Sequence, residues 1–374
     1  MIYINVIGIT VLFIFAVFII SKKKKVISDY LLLSIVILFA GYLFSDIWVK
    51  HVLNVWSFAF QSVTSYLLGF PFILYGLVLI DKTHRVKPKW LWFGIFDLVY
   101  CTFLFLDIWV IHDYTGEDLA GMYLSPPLIY HIFYKGHMLY TIGTMLWFLA
   151  RLNRYQLKIK NYYSNLERVH LDWVRHFVWM YIAVYTTALT IFLAFNFELV
   201  KNIEIPFLVV NLVLVLSLMY LVFYGIRQYS LANFSENNNP SPPQKVQTSQ
   251  EKYQSSSLSD SEMTGLYAQI EELFDQDIYH DAELKVQHIA QKLGVTSHNI
   301  SQTLNQKAGK TFYEFVNSYR VDYFKELLSD PDKSRYTILA LGMESGFNSK
   351  ASLNRVFKQQ IGITPREYQQ KAIA

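Results

Sequence analysis

Long apolar runs recur along the first two thirds of the chain. An amphipathic soluble helix would carry a polar stripe along one face, whereas residues 11–20 contain no polar residue and residues 207–215 contain only Asn211. Each run reaches about the 20 residues that a helix needs to cross a bilayer. The pattern predicts seven transmembrane helices over residues 1–229, and it disfavours the alternative of a soluble bundle. The seven runs cover approximately residues 2–20, 30–50, 57–80, 90–111, 128–149, 175–196 and 205–226.

Basic residues alternate between the connections of these runs. Lys22–Lys25 follow the first run directly, and cytoplasmic loops are the ones enriched in Lys and Arg. Residues 112–127 contain no Lys or Arg, and the other two connections on that side offer only Lys50 and Lys201. We therefore expect the N-terminus outside, the C-terminus in the cytoplasm and a multi-pass location in a bacterial inner membrane. The remaining inward connections carry Lys82, Arg85, Lys87 and Lys89, and then Arg151, Arg154, Lys158, Lys160, Arg168 and Arg175.

The first run is longer than the core of a signal peptide and lacks a basic segment before it, so we expect it to remain as a helix of the mature protein. At the other end of the apolar region, residues 230–261 turn to Ser, Asn, Gln and Pro. Such a composition buries too little apolar surface to fold. It predicts a flexible linker with a span of roughly 30 Å, although a loop folded onto the bundle is the alternative.

Residues 262–374 show helical spacing and an internal repeat. Ala290, Gly294, Leu304 and Gly309 recur, 52 or 53 positions later, as Gly342, Gly346, Phe357 and Gly362. In each copy an apolar helix ends at a glycine, which suits a tight turn, and a second helix follows. Thr311 and Glu314 have the spacing of a capping box for the helix between the copies. The pattern predicts two helix-turn-helix units in an all-α domain.

The second helix of each unit has a polar face. Ile300, Thr303 and Leu304 face the core, which leaves His298, Asn299, Ser301, Gln302 and Asn305 outward. After a cap at Ser349, the outward set of the later unit is Lys350, Ser352, Asn354 and Arg355. Side chains of this kind contact bases in a major groove, and Lys358 could hold a phosphate. A plain solvated face is the alternative.

Charge divides the C-terminal domain in the same way. Residues 262–283 contain seven acidic residues and no Lys or Arg. Residues 284–374 contain thirteen Lys and Arg against seven acidic residues. The basic excess accompanies the two predicted units and fits contact with phosphates.

The run Gly346-Phe347-Asn348-Ser349, followed by Phe357-Lys358 and Gly362-Ile363-Thr364-Pro365, resembles the second helix-turn-helix of AraC/XylS-type DNA-binding domains. The resemblance extends over residues 284–370 and implies binding to promoter DNA with recruitment or blocking of RNA polymerase. That family often has Glu where this chain has Ala340, and Ala where it has Gly342, which implies a less stable second unit. By position, base contact falls to His298, Ser301, Gln302, Lys350, Ala351, Ser352, Asn354 and Arg355.

Ionisable residues inside membrane spans are costly and often functional. Several polar side chains fall toward the outer side of the predicted bundle, where they suggest a pocket for an extracellular or periplasmic ligand. Asp107 and Lys135 are candidates for an ion pair at similar depth. Interface residues satisfied by water or by one another are the alternative. The candidate pocket residues are Asp46, Gln61, Asp107, His131, Lys135 and His137.

Several functional classes lack support in the sequence. The chain has one cysteine, which excludes an intrachain disulfide framework and a multi-cysteine metal site. No HExxH, GxSxG or P-loop motif is present, so we predict neither an enzyme nor a cofactor or metal site. The favoured function is a membrane-bound transcription regulator that couples a sensory bundle to double-stranded DNA, with homodimer formation left open. The alternatives are a transporter or other membrane protein with a regulatory DNA-binding tail, or a factor released by proteolysis.

Overall fold

The computed structural model describes residues 2–52, 54–81, 85–106, 128–167, 169–197, 199–200, 204–237 and 258–373. These residues are helical, with turns and an isolated β-bridge between Tyr163 and Lys285, and they contain no strand. The all-α class is therefore confirmed over the described residues. The chain divides into two compact units, one of Met1–Asn153 with Leu171–Ser235 and one of Arg154–His170 with Glu236–Ala374.

The first unit is built from long apolar helices, and two of them continue past the unit's boundaries. A short 3-10 helix, Pro88–Gly94, precedes the fifth. The helices are α1 (Ile2–Ile20), α2 (Ile27–His51), α3 (Val55–Leu67), α4 (Gly69–Ile80), α5 (Ile95–Leu106), α6 (Leu128–Ile159), α7 (Asp172–Asn196) and α8 (Glu204–Asn237).

Five helices of the described chain are long and apolar enough to cross a membrane, where the sequence predicted seven spans. The predicted fourth span is described only as far as Leu106. The predicted fifth lies in α6, which is 32 residues long but includes Lys135 and His137, and such polar residues lower its mean hydropathy. The five are Ile2–Ile20, Ile27–His51, Trp56–Ile80, Asp172–Phe195 and Leu208–Ile226.

A buried polar contact joins α1 to α2 in the first unit. Asn5 of α1 is fully buried, and its amide donates to Asp46 Oδ2 on α2 at 2.7 Å. Lys50 donates to the same oxygen at 3.0 Å. A buried carboxylate is tolerated when it is paired and hydrogen-bonded. Outward positions of α1 are apolar instead, with Phe13 68% exposed, as a lipid-facing surface requires.

The predicted linker boundary shifts in the structure. Helix α8 extends through Asn237, so residues 230–237 continue a helix instead of opening the linker at 230. The following residues, 238–257, lie outside the described part of the chain. On the far side, helix begins at Asp260, capped by the Ser259 hydroxyl, which accepts from the Glu262 N–H.

The second unit is a cluster of short helices around one long one. Its helices are α9 (Asp260–Phe274), α10 (Val286–Leu293), α11 (Ser297–Thr303), α12 (Phe312–Ser329), α13 (Ile338–Glu344), α14 (Lys350–Ile361) and α15 (Pro365–Ile373). The predicted capping box opens α12, because Thr311 Oγ1 accepts from the Glu314 N–H and Glu314 Oε2 accepts from the Thr311 N–H.

Helix α12 passes between two apolar clusters and contributes to both. Phe312 and Phe315 belong to a cluster with α9, α10 and α11. Val321 and Phe324 belong to a cluster with α13 and α14. This one helix therefore holds the two helix pairs in a fixed arrangement.

Residues 154–170 were assigned from the sequence to the membrane domain, yet they pack with the C-terminal unit. Ile159 and Leu166 are 5% and 2% exposed and lie in the same apolar cluster as Val321 and Phe357. The physical reason is this apolar contact together with the hydrogen bonds described below. The domain division at residue 229 therefore needs an exception for this segment.

Arg320 on α12 is the largest side chain buried almost completely, at 2% exposed. Its Nε donates to the Tyr279 carbonyl at 2.8 Å, and one terminal nitrogen donates to the Asp281 carbonyl at 2.7 Å. The guanidinium also donates to Ser164 Oγ at 3.2 Å and to Asn317 Oδ1 at 3.4 Å. Burial lowers the pKa of Arg320 to about 10, so the group stays charged near neutral pH.

Gly346→Ala should strongly destabilise the second unit, because Gly346 has φ +89° and an added Cβ would lie 2.5 Å from the Tyr279 carbonyl oxygen. We expect a loss of more than about 3 kcal/mol of unfolding free energy. Gly362→Ala is the matched control, since φ is +87° there with open space around the Cβ, and it should cost only about 1–2 kcal/mol. Urea-dependent hydrogen exchange of peptides from residues 258–373 in the full-length protein measures both. Equal losses would contradict the close-contact argument.

Arg320→Lys should also destabilise this unit, because an ammonium cannot reproduce the planar fork that reaches both carbonyls. The expected loss is about 2–4 kcal/mol, arising from buried acceptors left without a donor. The same hydrogen-exchange measurement applies. Arg335→Lys, at an exposed position, is the control for the chemical change, and its unfolding free energy should stay within about 0.5 kcal/mol of the parent's. If the urea midpoint of Arg320→Lys is unchanged, the two carbonyl contacts of the guanidinium do not stabilise the unit.

Candidate nucleic-acid interface

The first helix pair consists of α10 and α11, joined by a turn at Gly294. Gly294 has φ +66°, a conformation in which other residues are strained. Thr296 caps α11 by accepting from the Asn299 N–H at 3.2 Å. Ile300 and Leu304 are fully buried. The turn and the inward positions match the sequence predictions.

The second helix pair, α13 and α14, is built in the same way. Thr337 caps α13 by accepting from the Ala340 N–H at 3.1 Å, and Gly346 forms the turn. Ser349 caps α14 by accepting from the Ser352 N–H at 3.1 Å. The helix that Ser349 caps, α14, is 12 residues long.

Gly342 has a packing reason that the sequence did not reveal. A Cβ at this position would lie 2.6 Å from Leu353 Cδ2. Glycine therefore permits the close crossing of α13 and α14, and this gain offsets its lower helix propensity. The expectation that Gly342 simply weakens the second unit needs this correction.

The residues predicted to contact DNA differ in exposure. His298, Lys350, Ala351, Arg355 and Lys358 are exposed, and Gln302 and Asn354 are partly buried. Ser301 and Ser352 are each only 6% exposed, although the sequence analysis placed both outward. For Ser301 the reason is a contact made by a distant segment of the chain, described below.

Arg355 reaches back from α14 to α12. Its guanidinium lies near the hydroxyl of Tyr313, whose pKa is raised by burial and lowered in part by this positive charge. The side chain is nonetheless exposed. A positive group thus lies beside the long helix that joins the two pairs.

Residues 160–167, here called the docking segment, attach to the C-terminal unit through backbone hydrogen bonds. The Tyr313 N–H donates to the Lys160 carbonyl at 2.9 Å, and the Val286 N–H donates to the Tyr162 carbonyl at 3.1 Å. Ser164 Oγ donates to the Leu284 carbonyl at 2.6 Å. Asn317 donates to the Ser164 carbonyl at 3.2 Å. The segment therefore bridges the start of α10 and the long helix α12.

The docking segment also contacts the second helix of each pair. Ser301 Oγ donates to the Asn161 carbonyl at 2.8 Å. Ser349 Oγ donates to a carboxylate oxygen of Glu167. Sequence reasoning missed this docking, because these partners are 140 and 182 positions apart and the segment carries no recognisable motif.

The candidate sensory residues fall into separate surroundings. Asp46 pairs with Asn5 and Lys50 as described above, and Gln61 is partly buried on α3. Lys135 lies over the ring of Phe192, 5.4 Å from its centroid. Asp107 lies outside the described residues, as does the side chain of His131. The proposed Asp107–Lys135 pair is therefore untested.

His137 is buried and has an acidic partner that sequence reasoning missed. Its Nε2 lies 3.2 Å from Asp97 Oδ1, with both side chains almost completely enclosed. The ring of Tyr66 lies 4.3 Å from the imidazole. A small cavity lies beside the pair, lined in part by Gly69 and Thr141. The polar residue Asp97, inside an otherwise apolar stretch, was the available signal.

The described residues contain no group of three or more His, Cys, Asp or Glu side chains that could hold a metal ion. The single cysteine, Cys101, is partly buried and unpaired with another cysteine.

Comparison with known proteins identifies the C-terminal region. Residues 289–371 match the family model described as "Helix-turn-helix domain". An uncharacterized HTH-type transcriptional regulator of Staphylococcus aureus (strain COL) is 27% identical over 92 residues, which are 25% of this chain and 12% of that protein. The melibiose operon regulatory protein of Escherichia coli (strain K12) is 24% identical over 89 residues, 24% of this chain and 28% of that protein.

A solved structure of a Listeria innocua protein of unknown function is also similar, at 21% identity and a TM-score of 0.25, covering 28% of this chain and 94% of that one. The chain spans between an eighth and three tenths of the curated relatives named above. Within the C-terminal unit, residues 289–371 thus form a helix-turn-helix domain of the AraC type.

Proposed function

We propose that this protein is a membrane-bound, sequence-specific transcription regulator whose C-terminal unit binds double-stranded promoter DNA. The observation that carries the proposal is the pair of helices α11 and α14, held by one rigid helix within a region that matches a helix-turn-helix domain. Each pair acts as a helix-turn-helix unit. Two such helices on one body can enter successive major-groove segments about 34 Å apart.

The side chains of these helices divide into base-reading and phosphate-binding groups. Arg355 is suited to bidentate contact with guanine, and His298 and Gln302 to hydrogen bonding with base edges. Lys350 and Lys358 supply positive charge for phosphates. Ala351, Ser352 and Asn354 complete the second face, and Ser301 joins the first face once Asn161 no longer covers it. The names of the similar regulators, one of them for an operon, support transcription control. Contact with RNA polymerase is the proposed means of that control.

The first unit is proposed to anchor this domain at the cytoplasmic face of the inner membrane. Five described helices meet the length and apolarity of membrane spans, and the seven-span topology places all strongly basic connections on the side of the C-terminus. The linker between residue 238 and α9 would let the DNA-binding unit reach the chromosome without leaving the bilayer.

The Asp97–His137 pair is the proposed centre of signal reception. A buried ionisable pair within a membrane bundle has no packing advantage over apolar side chains, so its presence beside a cavity favours a binding role. The aromatic rings of Tyr66 and Phe96 flank His137. A small polar ligand from outside the cell would alter the packing of α5 against α6, and α6 leads directly into the docking segment.

DNA binding is tested by immunoprecipitation and sequencing of DNA crosslinked to the tagged full-length protein in a bacterium. Discrete promoter segments should be enriched. On the enriched sequence in vitro, Arg355→Ala should weaken binding by about 1–3 kcal/mol and relax preference for one base pair. Lys292→Ala, an exposed residue of α10, is the control and should retain specificity. Recovery of no more promoter DNA than from untagged cells would overturn the proposed function.

Reception at the buried pair is tested with a reporter driven by one of the enriched promoters. The growth conditions that give the highest and the lowest reporter expression with the parent protein are found first, and the difference between these two expression levels is its response range. His137→Gln should remove most of this range at unchanged protein level, because the partner Asp97 loses its imidazole. Thr190→Ala, exposed on α7, should retain the range. A full response from His137→Gln would eliminate the pair as the receptor site.

A further inference from the structure

The docking segment occupies the face that the proposed function assigns to DNA. Ser301 corresponds to a base-contacting position, yet its hydroxyl donates to the Asn161 carbonyl at 2.8 Å and only 6% of the residue is exposed. A base edge cannot reach this hydroxyl while Asn161 is in place. The first recognition helix is thus partly covered by a segment of the same chain.

At the second recognition helix, an acidic side chain contacts the residue that caps the helix N-terminus. The Glu167 carboxylate accepts from Ser349, the residue that caps the N-terminus of α14. Helix N-termini attract anions through their unpaired N–H groups and their dipole, and DNA-binding domains use such ends for backbone phosphates. The carboxylate therefore satisfies the group that would otherwise hold DNA.

The rest of the segment is anchored as firmly as a structural element. Its carbonyls accept hydrogen bonds from the Tyr313 and Val286 N–H groups. Ser164 Oγ accepts a hydrogen bond from the buried Arg320 guanidinium. Leu166 is 2% exposed and lies in the apolar cluster that contains Val356. These contacts involve α10, α12 and α14 together. Removing the segment requires a concerted release rather than the rotation of one side chain.

We propose that the docking segment and DNA compete for this face, so that the conformation described here is a closed, DNA-excluding form. The inference rests on the proposed function and names its regulation. The segment connects the end of α6 to the start of α7 (residues 159 and 172), so a ligand that changes the spacing of those helices withdraws it. Such a ligand opens the face by favouring one of two states, and DNA must in return favour the undocked segment.

The competition is tested by locking the segment in place within the full-length protein. Asn165 Nδ2 lies 3.4 Å from Glu283 Oε1, and neither residue belongs to the predicted DNA face. With the single native cysteine replaced by Cys101→Ser, the pair Asn165→Cys and Glu283→Cys forms a disulfide on oxidation that dithiothreitol reverses. The probe is a 40-base-pair duplex of random sequence at low salt, because phosphate binding needs no target site.

The oxidised protein should bind the duplex at least about tenfold more weakly than the same protein after reduction, which corresponds to 1.4 kcal/mol. Asn165→Cys alone should bind equally with and without reductant. Leu166→Asp, which places a charge in the apolar cluster, should release the segment and bind more tightly than the parent. Hydrogen exchange across α12 verifies that this variant keeps its fold.

A reciprocal measurement uses the rate of disulfide formation, which excess duplex should slow severalfold. Equal affinities of the oxidised, reduced and Leu166→Asp forms, with a crosslinking rate unaffected by duplex, would overturn the competition while leaving DNA binding intact. Absence of binding by the reduced, parental and Leu166→Asp forms alike would instead overturn the proposed function, and the inference with it.

Discussion

The buried guanidinium of Arg320 is the interaction on which the C-terminal unit depends. It reaches three otherwise separate parts of the chain: the turn at Tyr279 and Asp281, the helix that carries it, and Ser164 of the docking segment. A charge placed in an apolar interior is unfavourable unless every donor finds an acceptor. The carbonyls that satisfy it are therefore held in one arrangement, and the turn at Gly346 packs against the same Tyr279 carbonyl.

The helix that carries Arg320, α12, also sets the arrangement of the two helix pairs. Helix α12 gives its apolar side chains to both clusters, so neither pair moves independently of the other. Gly346 at the second turn and Gly342 at the crossing of α13 with α14 leave room at positions where a Cβ would collide with Tyr279 and Leu353. A fixed separation of α11 and α14 is what the proposed contact with two major-groove segments requires.

The first unit relies on a different balance. Its outward side chains are apolar, which suits a lipid surroundings, while the enclosed polar groups Asn5, Asp46, Asp97 and His137 find partners in neighbouring helices. Buried pairs of this kind contribute little net stability and respond strongly to a change in a partner. The unit therefore has an apolar exterior and a small set of buried polar pairs that are sensitive to substitution. One of its helices, α6, leads directly into the docking segment.

The sequence alone determined the local features. Apolar length and periodicity gave the helices, the Thr311 and Glu314 spacing gave a cap, and the glycine repeat gave the two turns, because each depends on residues within one or two helical turns of one another. The positions of α10, α11, α13 and α14 could be predicted for this reason. The tertiary structure alone decided that α8 continues past residue 230, that Gly342 makes room for Leu353, that His137 pairs with Asp97, and that Ser301 is covered by a segment 140 positions earlier. Such contacts depend on the packing of whole helices, so no local pattern specifies them.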